Sequence, residues 1–143
     1  MGQQQLLLVI LVTIIVGIAT VVAINTFGSA ADSATRDAVR QDLASIASSA
    51  QGYYMKPNML GGGGRTFNGV SFNDVSIAGI RNSSTEVENE NGVYTIPAGI
   101  TGDNFVVTAI VKDSDSSEIQ ARVCVETVVM GTIGGGAPGD CPD

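Results

Sequence analysis

Between Leu6 and Ile24 the chain reads LLLVILVTIIVGIATVVAI, an apolar run without a charged side chain, and the rest of the molecule has to accommodate it. A helix needs about 20 mostly apolar residues to cross a bilayer core, so this run is long enough to span one. Thr13, Thr20 and Gly17 do not spoil it, because a Thr hydroxyl can bond back to the helix backbone and glycine is tolerated in such helices. The first charged side chain of either sign is Asp32. A helix apolar on every side must be buried in lipid or against other protein.

Three simpler accounts of the run each leave something unexplained. A cleaved signal peptide would use the small residues Ser29, Ala30 and Ala31, but the basic segment that normally precedes the apolar stretch is missing. A plain single-span anchor accounts for the hydrophobicity, yet no Lys or Arg flanks the run closely to set its orientation. A buried core helix would need more chain than remains to wrap it on all sides.

The pattern that follows carries the helix further. Phe27, Ala31, Ala34, Ala38, Val39, Leu43, Ile46, Ala50 and Tyr53 recur mostly at three- and four-residue spacings, which predicts one apolar stripe on a continuing helix. Asp32 with Arg36, and Asp37 with Arg40, are spaced for weak ion pairs on a solvated opposite face. Gly52 and Pro57 bracket the end. A helix from about residue 3 to about residue 54 would be roughly 75 Å long.

An apolar helix preceded by Gly2 and continued by an amphipathic half resembles the N-terminal stem of type IV pilins and the related pseudopilins. The resemblance covers roughly the first 55 residues and is architectural. It implies a helix stored in the inner membrane, then packed with its copies into a filament core, with a small β-rich head on its second half. That family carries a basic leader ending in Gly, and a Glu at the fifth mature position. Here Gln3 follows Gly2, and the fifth position is Gln5 counted from Met1, or Leu7 after a cut at Gly2. Gln5 could accept a hydrogen bond from a neighbour's amine, weaker than a charge-assisted one. The opening GQQQLLL, Tyr53-Tyr54 and the four-glycine loop also resemble a group of bacterial pilin-like proteins.

Charge and composition narrow the function classes. With 14 acidic and 7 basic residues the net charge is −7, and no basic cluster occurs, so phosphate-driven nucleic-acid binding is not expected. An acidic surface keeps filaments soluble and apart. Gly61 to Gly64 is not a phosphate loop, since no strand precedes it and no Gly-Lys-Ser/Thr follows. Its expected role is a flexible link from helix to head. No cofactor, metal or catalytic site is expected: there is no His, the Ser residues lie in turns without a visible base, and Glu86, Glu88 and Glu90 sit in a polar loop.

Beyond the loop, about 90 residues remain for a small head, a marginal core. Phe67, Val70 and Phe72 are expected to dock a first strand beside the stem. Val75, Ile77 and Ile80 alternate weakly, 82–92 reads as a loop, and Val93 to Ile96 reads as a strand ended by Pro97. Asn82-Ser83-Ser84 fits a glycosylation tripeptide but is read as surface loop. Phe105 to Lys112 and Ile119 to Met130 are the strongest strands, joined by the polar run 113–117. On the second, Ile119, Ala121, Val123, Val125 and Val129 are expected to face the stem, and Gln120, Arg122, Cys124 and Glu126 to face out. Asp113, Asp115 and Glu118 supply only part of a calcium loop, so a solvated turn is preferred.

The glycine-rich return between Cys124 and Cys141 makes a bridge sterically easy, and many pilins tie their C-terminal region in this way. The competing account, two free thiols in a reducing cytosol, sits poorly with the apolar N-terminus.

The expected organisation is therefore α+β: a long N-terminal helix, apolar in its first half and amphipathic in its second, packed against a small antiparallel sheet. Residues 1–26 form the membrane or filament-core helix, 27–56 its amphipathic continuation, and 57–143 the β-rich head. The resemblance implies a non-enzymatic filament subunit that is extracellular after a single-span inner-membrane precursor stage in a bacterium. Its partners would be copies of itself and a pilus assembly machinery. Core packing would fall to Leu6, Leu7, Val9, Ile10, Ile14, Ile15, Gly17, Ile18, Val21, Val22 and Ile24, with processing or N-terminal assembly at Gly2, Gln3 and Gln5. The alternatives are a membrane-anchored binding domain and a minor pseudopilin of a secretion system.

Overall fold

The computed structural model describes residues 2–113 and 115–142. Met1, Ser114 and Asp143 lie outside the described residues, and with them the counting of Met1 as a mature end and Ser114's place in the last hairpin loop. The fold is α+β: one helix, α1 (Gly2–Met55), and a six-stranded antiparallel sheet. By contacts the chain divides into two compact units, Met1–Ala34 and Thr35–Asp143.

The first unit is helical throughout its described residues, and α1 runs through Gly17 without a break. Its hydroxyls are satisfied by its own backbone. Thr13 donates to the Ile10 carbonyl at 2.8 Å, Thr20 to Val16 at 2.8 Å and Thr26 to Val22 at 2.8 Å. These side chains therefore need no outside partner, whatever medium surrounds the helix.

In the second unit the sheet is a meander, with strands β1 (Ile80–Arg81), β2 (Glu86–Glu88), β3 (Gly92–Thr95), β4 (Phe105–Val111), β5 (Glu118–Val123) and β6 (Val128–Met130) in spatial order. Register places Phe105 opposite Val123, Val107 opposite Ala121, Ala109 opposite Ile119 and Tyr94, and Tyr94 opposite Val87. All of these are buried and line one face, as period-two alternation requires. They share one core with Val39, Leu43, Ile46, Ala47 and Ala50 of α1. The covered stripe on the helix begins at Val39. Ala38 is half-buried, whereas Phe27, Ala31 and Ala34, expected to continue it, are exposed.

Several local expectations need correction. Phe67, Val70 and Phe72 are buried, but in turns and irregular chain rather than a strand; Phe67 packs between Tyr54, tilted at 42°, and Phe105, edge-on at 67°, with ring centroids 5.1 and 5.2 Å away. The 82–92 segment contains β2, whose single apolar residue Val87 is fully buried. The long strand expected from Ile119 to Met130 is a hairpin: the Cys124 N–H donates to the Thr127 carbonyl at 3.0 Å and the chain reverses into β6. Ile119, Ala121 and Val123 face the core as expected, but Val125 lies in the turn and Val129 is only half-buried. Cys124, expected to face out, is buried where β5 ends.

The four glycines are a helix cap rather than a slack link. The last carbonyls of a helix have no partner within it, and here Gly63 N–H donates to Tyr53 O at 2.9 Å, Arg65 N–H to Tyr54 O at 2.9 Å and Gly64 N–H to Lys56 O at 3.0 Å. Gly62 and Gly63 are buried so closely that a Cβ would strike the Lys56 and Thr66 carbonyls respectively. Arg65 ends the cap with φ of 69°, a left-handed conformation that costs a non-glycine residue about 1–2 kcal/mol.

Candidate functional site

The residues expected to pack a core in Met1–Ala34 are all exposed within one chain. From Leu6 to Ile24 the large apolar side chains range from 48% exposure at Val12 to 69% at Leu7, on every side of the helix. In the second unit, by contrast, Val39, Leu43 and Ile46 are fully covered. Leu6, Leu7, Val9, Ile10, Ile14, Ile15, Ile18, Val21, Val22 and Ile24 thus form a continuous apolar surface, and Gly17 leaves a gap in it with nothing within reach of an added Cβ. Gly2, Gln3 and Gln5 lie exposed in its first turns. Each large side chain of this kind gains about 1.5–3 kcal/mol when moved out of water. The helix is long and apolar enough to cross a membrane.

The head is held by three devices. Cys124 and Cys141 form a disulfide, with Cα atoms 5.9 Å apart, that ties the tail to the end of β5. Gln51 of α1 donates to the Cys124 carbonyl at 3.1 Å, so the bridged corner is bonded to the helix as well.

The second device is Arg36, whose spacing predicts a wet-face residue. Its Nε donates to Asp113 Oδ2 at 2.6 Å, and its terminal nitrogen reaches Ser117 Oγ at 3.1 Å and Asp115 at 3.4 Å. The Asp113 side chain is fully covered. Burial works against its charge, but the Ser117 N–H and hydroxyl and the Arg36 guanidinium outweigh that and hold the carboxyl well below its usual range. Two of the oxygens considered for calcium are thus engaged by a guanidinium. The Asp37–Arg40 pair does form, at 3.0 Å on the helix surface.

Asp42 is the third device. One of its oxygens accepts the Tyr94 hydroxyl at 2.6 Å, Asn89 at 2.9 Å and Asn91 at 3.0 Å. Burial opposes ionisation here too, and the three donors reverse it, so the carboxyl lies below its ordinary value. Burial, with Asp42 second, raises the Tyr94 phenol, which stays protonated as a donor. Asn89 also accepts from the backbone N–H groups of Asn91 and Gly92, closing the β2–β3 turn. An open groove of about 620 Å³ lies beside it, lined by Asp42, Gly79, Glu88, Glu90 and Lys112 among others. Lys112 neutralises Glu88 at 2.6 Å, bonding to it and lowering its pKa.

No group of three or more His, Cys, Asp or Glu positioned to hold a metal ion occurs among the described residues. No family model, curated protein or solved structure matches this chain.

Proposed function

We propose that this protein is a structural subunit of an extracellular type IV pilus-like filament, polymerising through Leu6 to Ile24, with no catalytic role. The observation that carries the reading is the apolar surface of that helix, exposed on all faces in one chain, beside a Thr35–Asp143 unit that has a closed core of its own. A helix of this kind suits two environments. In lipid it serves as the single span of an inner-membrane precursor; in a polymer, copies cover one another. The self-satisfied hydroxyls of Thr13, Thr20 and Thr26 support both states, because neither has to supply a bond.

Moving from lipid to polymer gains little apolar burial, since lipid is already apolar. Assembly therefore calls on machinery and on close packing, with copies of the chain as the main partner and no nucleic acid. The disulfide fits an oxidising compartment outside the cytoplasm.

The test is Ile14→Asp in the full chain, scored for subunit held in membranes and for polymer released by shearing. One Asp near the middle of a span costs about 2.5–3.5 kcal/mol on insertion scales, which this apolar run tolerates. The reading expects membrane-held subunit and no polymer. Normal polymer from this variant would defeat the packing claim, and an unaltered chain that never leaves the membrane would favour an anchored binding domain.

A further inference from the structure

Seven basic residues stand on this acidic chain, and most are engaged. Arg36, Arg40, Lys112 and Arg122 form ion pairs, and Arg81 bonds to Asn73. Lys56 and Arg65 make no ion pair among the described residues, and they lie together, since the glycine cap bonds Gly64 to Lys56 and Arg65 to Tyr54. In the same stretch of chain Met59 is 98% exposed, Met55 74% and Leu60 66%. The result is an apolar knob that carries two cations, with Asp74 lining a small pocket beside Lys56. Arg65 keeps its side chain at a backbone position that favours glycine, directly after four glycines. Strain retained at a residue whose side chain makes no ion pair or hydrogen bond among the described residues points to an external use.

At the same end of the head, linked to it by the Phe67 N–H to Gly102 O and Gln51 to Cys124 O bonds, is a surface of opposite character. A groove of about 630 Å³ beside the disulfide is lined by Asp103, Glu126, Val125 and Pro142. Neither Asp103 nor Glu126 is ion-paired among the described residues. It offers carboxylates and apolar contact where the knob offers cations and methionines, and the two surfaces share no residue.

We propose that the Met59–Arg65 knob of one copy docks into the Asp103–Glu126 groove of a second copy, a head-to-head contact that rests on the filament reading and adds to the helix core. Two different patches meet, so the contact can repeat from copy to copy, and in a filament whose rotation does not close it propagates as an open helical polymer. A second copy fits better than an anionic membrane: a polybasic lipid site gathers four or more cations, and a chain of net charge −7 is repelled by such a surface. Met59 supplies adaptable apolar contact, while the charges set register and exclude wrong partners.

The test uses the full chain in cells, comparing sheared filament with membrane-held subunit. Arg65→Gly relaxes the backbone while removing the cation, so it separates docking from folding. The proposal expects it to lower filament yield several-fold with subunit level and thermal midpoint maintained or raised. Reversal at Lys56 and Arg65 to Glu should cut yield about tenfold or more, as should reversal at Asp103 and Glu126 to Lys. Joining both reversals in one chain should restore assembly.

Zero-length carbodiimide coupling of filaments mixed from isotopically light and heavy copies should join Lys56 of one copy to Asp103 or Glu126 of another. Unchanged yield in both reversals would overturn the docking contact and leave the filament reading standing. So would failure of the joined reversal to restore, with the cross-link absent. Loss of membrane retention in Arg65→Gly, with filament per subunit unchanged, would assign the knob to lipid and overturn it too. If the unaltered chain makes no filament, the filament reading fails and the docking contact with it.

Discussion

Arg36 on α1 and Asp113 after β4 are 77 residues apart in sequence and 2.6 Å apart in the fold, the guanidinium closing on a carboxylate that has no exposed surface. This contact joins the amphipathic half of the helix to the hairpin between β4 and β5. A buried carboxylate bonded by Arg36 and twice by Ser117 cannot be neutralised without loss.

The folded-state pKa of Asp113 is depressed, so its stabilisation is complete above the unfolded carboxylate value of about 3.9 and is lost as pH falls from there toward the folded value. Asp113→Asn is expected to destabilise the head at neutral pH by about 1.5–3 kcal/mol, the range for a hydrogen bond to a charged group. The full chain in detergent micelles, melted between pH 7 and pH 2.5, should show a shallower acid limb in the variant. An unchanged acid limb would mean that Asp113 does not govern it.

Gly63 is expected to resist even the smallest side chain. A Cβ there would meet the Thr66 carbonyl and the Tyr53 ring, and its N–H caps Tyr53. Gly63→Ala should lower stability by about 1–3 kcal/mol through overpacking. Gly61, with nothing near its absent Cβ, tests a different thing: its φ of 75° makes Gly61→Ala costly by conformation alone, about 1 kcal/mol. Urea midpoints of the two variants would rank them.

Reduction of Cys124–Cys141 removes a cross-link spanning 17 positions, worth about 3 kcal/mol in the chain-entropy model. Cys124→Ala with Cys141→Ala should lower the unfolding free energy from urea melts by a matching amount, and the midpoint with it, with the helical circular dichroism signal retained. Equal midpoints for the bridged and the double variant chain would contradict the role given to the bridge.

Much of this architecture is legible in the sequence, because burial periodicity is local. Val39, Leu43, Ile46 and Ala50 announce the covered helix face, and Ile119, Ala121 and Val123 the covered sheet face. What was hidden depends on partners distant in the chain. Arg36 reads as a surface residue until Asp113 is placed beside it. Asp42, next to Leu43, gives no hint of Tyr94, Asn89 and Asn91. Strand β2 shows one apolar residue between two glutamates, too little for alternation to register. The turn at Cys124 to Thr127 contains neither Gly nor Pro, so β5 and β6 read as one strand, and Cys124 takes the outward parity of that strand in the sequence although the chain turns there.

The most direct test of the central claim is electron microscopy of material sheared from cells, with the intact mass of the subunit measured in the same fraction. The account predicts thin filaments built from this chain, with the helix from Leu6 to Ile24 in their core and a subunit mass two hydrogens below the reduced value. Recovery of the chain solely in the membrane fraction, with no filament that contains it, would contradict the account.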